Sequence, residues 1–109
     1  MTSVGTEQQA VTMAEELVDQ RLATCVNIVP CRRSIYRWKG GRVCDEAEFL
    51  LVIKTPEALG PAVHEAIMAL HSYELPEVMT IADEDVEEVT RRWVVDMTQP
   101  EPSMPPDDS

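Results

Sequence analysis

Apolar and polar residues change their spacing several times along the chain, and each change marks an element. Val11, Ala14, Leu17, Val18 and Leu22 recur at helical spacing, with Glu15, Glu16, Asp19 and Gln20 on the other side. This predicts an amphipathic helix from about Glu7 to Leu22, with Thr6 as N-cap and Glu7 suited to the first turn. Ala23 to Val29 is β-branched and reads as a strand that stops at Pro30. Ser34 to Lys39 alternates as a half-exposed strand does, Gly40-Gly41 supplies a turn, and Glu48 to Thr55 returns as another strand, so the region reads as a long hairpin. Pro56 opens a second helix to about Ser72, with Leu59, Val63, Ala66, Ile67 and Leu70 as its stripe. A short strand from Glu77 to Ala82 and a last helix from about Asp85 to Met97, with Val86, Val89, Trp93 and Met97 on one side, complete an α+β domain over residues 1–98. Residues 99–109, QPEPSMPPDDS, are proline-rich and acidic and are expected to form a disordered tail.

One strand breaks the alternation rule. Phe49 to Ile53 is apolar at five successive positions, which implies that both of its faces are covered. Two helices can cover one face of a sheet in so short a chain. The simplest cover for the other is a second copy.

Composition narrows the picture. A chain of 109 residues has room for one domain and one core. Its net charge of −11 repels phosphate backbones, so nucleic acid is not an expected partner. No apolar run approaches the roughly 18 residues of a membrane span, and MTSVGTEQQ has neither a basic start nor an apolar stretch, so neither membrane insertion nor secretion is expected. Cys25, Cys31 and Cys44 are an odd number and lack the close spacing of a zinc site, which fits a reduced, cytoplasmic protein with incidental thiols.

The chain contains no glycine-rich phosphate loop, no GxSxG and no HExxH, so no enzyme activity is expected. His64 reads as a solvated helix residue, and His71 as the end of the second helix, where the dipole favours it. Tyr36 and Trp38, between Arg37 and Lys39 on the hairpin, suit an interface better than base stacking.

Four stretches together resemble the CutA family of divalent-cation tolerance proteins. They are Leu22 to Pro30, Ser34 to Gly40, Lys54-Thr55, and His71 to Glu77, in register over roughly Thr2 to Val95. The resemblance implies a ferredoxin-like βαββαβ sandwich with an extra C-terminal helix, a homotrimer of PII-like architecture, and no catalytic residues. It implies a link to copper and other divalent ions, with a metal ion or small ligand bound at clefts between subunits. The rival functions are a PII-like sensor of a metabolite or nucleotide, and a structural trimeric scaffold. Tyr36, Trp38, Lys54, Tyr73 and Glu74 are the expected cleft or interface residues, and His71 is the expected metal ligand. The family's copper assignment uses a Cys at the end of the first strand and a His-His pair. Here the matching positions hold Thr2, Leu70 and His71, and Ser72 stands where a proline is usual. The first strand of the family pattern also looks truncated. Met1 to Gly5 shows no apolar alternation and is expected to serve only as the turn before the helix, with the strand encoded upstream or supplied by a partner.

Overall fold

In the computed structural model, which describes residues 1–71 and 76–100, a long antiparallel hairpin organises everything else. Strand β2 is Cys25–Arg37 and β3 is Val43–Lys54, joined by a 3₁₀ turn at Lys39–Gly41. Gly40 and Gly41 sit at φ 82° and 80°, a left-handed region that glycine enters without steric cost.

The β2 strand runs straight through the expected stop at Pro30, which pairs with Phe49. A proline is tolerated here because, among the described residues, β2 has β3 as its one neighbour in the sheet, and an edge strand can leave one missing N–H on its open side. The register then shifts between Cys31 and Ser34, where β2 carries one residue more than β3. This bulge separates the base of the hairpin from an outer arm.

The expectation that the chain lacks its first strand is corrected. Thr2–Val4 forms strand β1 and pairs antiparallel with Phe49 to Leu51, giving the sheet order β1-β3-β2. Its outer edge is met by Val78, opposite Thr2, and Met1 and Met79 exchange both backbone hydrogen bonds at 2.7 and 2.9 Å. Three residues cannot show an alternation, so the pairing and not the local pattern makes the strand. The strand expected at Glu77 to Ala82 is reduced to the Val78 bridge among the described residues.

Helix α1, Glu7–Asp19, is capped by the Thr6 hydroxyl, which accepts from the Gln9 amide at 3.1 Å. Its buried face is Ala10, Met13, Ala14 and Leu17, while Val11 and Val18 of the expected stripe lie 40% and 42% exposed. The helix ends earlier than expected because the amides of Arg21 and Leu22 turn back to the carbonyls of Val18 and Leu17, with Arg21 at φ 58° in the left-handed position that usually belongs to glycine. Helix α2, Gly60–Leu70, follows a 3₁₀ turn at Glu57–Leu59 and buries Val63 and Ile67. Helix α3, Glu88–Asp96, buries none of its residues. It is tied down by the Thr24 hydroxyl, which donates to the Val94 carbonyl at 2.6 Å.

The core lies on one face of the sheet. Val4, Leu51, Met13, Leu17 and Ile67 are fully or almost fully buried there, with Val26, Ile28, Phe49 and Ile53 packed against them. By strand alternation, Val29, Leu50 and Val52 point to the opposite face, where none of them is buried. The radius of gyration is 16.4 Å, with extents of 58 × 34 × 22 Å. A compact chain of this length would have a radius near about 13 Å. The difference is the projecting arm.

Candidate functional site

His71 closes α2, and its amide bonds to the Ile67 carbonyl at 2.9 Å. Its ring turns toward β1, with Nε2 2.7 Å from the Ser3 carbonyl oxygen. A carbonyl can only accept, so Nε2 carries the proton and has no lone pair for a metal. The imidazole latches the first strand to the second helix, a role that helix-end statistics did not reveal.

Among the described residues no three His, Cys, Asp or Glu side chains group closely enough to hold a metal ion. The three cysteines are free and half-buried. Thr2, where the resemblance places the family's Cys, is 1% exposed, and its hydroxyl has no hydrogen-bond partner among the described residues. The described residues of one chain therefore do not fit a divalent metal centre.

The expected cleft residues separate into two groups. Tyr36 and Trp38 sit on the outer arm, edge to face with ring centroids 6.2 Å apart, and the Lys39 ammonium lies 6.0 Å from the Trp38 ring centre. The Tyr36 hydroxyl donates to Glu46 across the hairpin at 3.1 Å. Desolvation by the hairpin, then the Glu46 hydrogen bond and charge, push the phenol up to about 12. Tyr36 is thus a neutral donor near pH 7. Beside it Arg33 and Asp45 form a two-pronged ion pair, which raises the guanidinium further.

Lys54 lies at the other end of β3, opposite Cys25. Ten residues of strand separate it from Cys44, the partner of Tyr36, or roughly 33 Å at about 3.3 Å per residue. One chain does not bring the two groups together. Tyr73 and Glu74 lie outside the described residues.

A cleft of about 240 Å³, not foreseen in the sequence, opens between α2 and residues 78–84. Ile53, Val63, Ile67 and Val78 line it, with Thr55 and His64 among the polar groups. The expected continuous strand at Glu77 to Ala82 hid it, because a paired strand would leave no such gap.

Known proteins match this arrangement along nearly its full length. The family model described as CutA1 divalent ion tolerance protein matches residues 1–97. The divalent-cation tolerance protein CutA of Thermus thermophilus is 44% identical over 81 residues, covering 74% of this chain and 78% of that protein. Mouse Protein CutA is 38% identical over 93 residues, 85% of this chain and 52% of that protein, so the chain spans about half the length of this mammalian relative. Among solved structures, CutA1 from Oryza sativa superposes with a TM-score of 0.84 at 34% identity, covering 92% of this chain and 91% of that one. The periplasmic divalent cation tolerance protein CutA from Archaeoglobus fulgidus gives 0.86 at 26% identity over 90% and 94%. With sequence and backbone agreeing over the same residues, the chain belongs to the CutA1 divalent ion tolerance family.

Proposed function

We propose that the chain acts in divalent ion tolerance as a non-catalytic cytoplasmic homotrimer, built on a ferredoxin-like, PII-like plan. A small ligand or a divalent ion such as copper binds at clefts between subunits. The observation that carries this reading is the uncovered face of the sheet. Val29 is 44% exposed, and Leu50 and Val52 beside it are only half-buried, although strand β3 is apolar at five successive positions. An apolar sheet face of this kind is stable when another surface excludes water from it. The separation of Tyr36 and Trp38 from Lys54 supports the same reading, since a neighbouring copy could complete a cleft that one chain leaves in two parts.

Two measurements test the proposal. Light scattering should give three times the chain mass, and a stable monomer would sink the assembly. Calorimetric titration with copper, zinc and a nucleotide set should give heat with a divalent ion, weakened by Val52→Asp. Heat with a nucleotide alone would favour a metabolite sensor, and no heat at all a scaffold.

A further inference from the structure

The cleft between α2 and residues 78–84 has an apolar floor and an acidic rim. On the floor, Val63 and Ile67 of α2 are buried, and Ile53 and Val78 are half-buried. At the rim, Glu57 comes from the 3₁₀ turn that leads into α2, and Asp83 and Glu84 come from the facing segment. All three are exposed. Among the described residues Glu57 and Glu84 make no hydrogen bond or ion pair through their side chains, and Asp83 accepts from the Asp85 amide at 3.0 Å.

Among the described residues no lysine or arginine lines the cleft. The positive group in its wall is the Met1 ammonium, which donates to the Met79 carbonyl at 2.7 Å. Burial pushes that amine below its ordinary 8.0, against the pull of Glu77, so its charge is disfavoured there. The described lining also holds no Phe, Tyr or Trp, so it lacks the aromatic cage that suits a quaternary ammonium. A volume of about 240 Å³ has room for roughly eight heavy atoms at about 30 Å³ each, the share of one molecule in liquid water.

We propose that this cleft binds a small primary amine with an apolar body, of the size and class of hexylamine. The alkyl chain lies on Ile53, Val63, Ile67 and Val78 and excludes water from them. The ammonium stays at the mouth, where its three N–H donors meet carboxylates from both walls. A ligand carboxylate would meet like charge at the same place, and a neutral head would gain nothing from the rim acids. Exposed carboxylates contribute modestly and the ligand has few atoms, so the expected affinity is millimolar. The described lining belongs to one chain, so this site is separate from the clefts between subunits proposed above and stands or falls apart from the assembly.

The test is a nuclear magnetic resonance titration of the full chain, labelled at Ile and Val methyls, with hexylamine, hexanol and hexanoate in turn. Hexylamine should shift the methyls of Ile53, Val63, Ile67 and Val78 and leave those of Val29 and Val52, on the opposite face of the sheet, in place. Butylamine should bind about tenfold more weakly, since each lost methylene costs about fourfold. The double variant Glu57→Gln/Glu84→Gln changes exposed side chains. It should weaken hexylamine about fivefold and leave hexanol unchanged. No shift at the floor methyls with millimolar hexylamine would overturn the proposal, as would shifts centred on Val29 and Val52. Hexanoate binding as well as hexylamine would overturn the assignment to a cation. A loss in the double variant shared equally by hexanol would show that the carboxylates only shape the cleft, which also overturns it.

Discussion

The base and the outer arm of the hairpin are made from the same two strands, yet different forces hold them. At the base, Val26, Ile28, Phe49, Leu51 and Ile53 pack against the helix-covered core. Beyond the bulge at Cys31 to Ser34 none of the strand residues is buried. There the strands keep their ladder, the Arg33–Asp45 pair, the Tyr36–Glu46 hydrogen bond and the Tyr36–Trp38 contact. All of these are solvent-facing and individually weak. Burial therefore fixes the base in one chain, whereas the arm depends on what it meets.

Four substitutions or titrations probe that contrast. Leu51→Ala strikes the core side of β3, where Leu51 is fully buried, and should cost about 2–5 kcal/mol in denaturant unfolding. A loss under about 1 kcal/mol would mean the core is misplaced. Val52→Asp, one residue on, faces the open side of the sheet. It should leave the far-ultraviolet dichroism of the fold intact and abolish assembly, because a carboxylate would be desolvated there. An oligomer that survives the change would show that this face is not an interface.

Thr2→Val removes a buried hydroxyl that bonds to none of the described residues, and should raise stability by about 1 kcal/mol. Destabilisation would reveal a partner for that oxygen in the assembled protein. The smallest effect belongs to the arm. Tyr36 has its phenol raised from about 10 to about 12, so its contribution is fully present below pH 10 and disappears as the pH rises through 12. Ultraviolet titration should show one tyrosine ionising near pH 12, and Tyr36→Phe should delete that step. A step near pH 10 for both tyrosines would mean that the Glu46 contact is not kept in solution.

Much of the base was legible in the sequence because period and burial coincide there. The Val63 and Ile67 stripe and the Thr6 cap follow from residue spacing. The failures share one cause, which is that distant contacts decided them. Thr2–Val4 became a strand through residues 49–51, and Pro30 was admitted because β2 lies at an edge. Helix α1 turned Ala10 and Met13 inward in place of Val11 and Val18, since the sheet and α2 set its rotation. Of the expected site residues, His71 was read correctly as a helix end, but its bond to Ser3 spans 68 positions and left no local signal. Tyr36 and Lys54, both expected at a cleft or interface, lie toward opposite ends of the hairpin.

The short first strand also bears on the order of folding. The β2–β3 hairpin joins neighbours in the chain, but β1 must find partners 45 or more positions away, at Phe49 to Leu51 and again at Val78. Closing loops of that length costs more entropy than closing the hairpin, which places β1 late. Interactions formed late restrain escape from the native state more than entry into it. Weakening Val4 or the His71–Ser3 latch should therefore quicken unfolding while leaving the refolding rate nearly unchanged, so that three residues at the start of the chain govern how long the fold lasts.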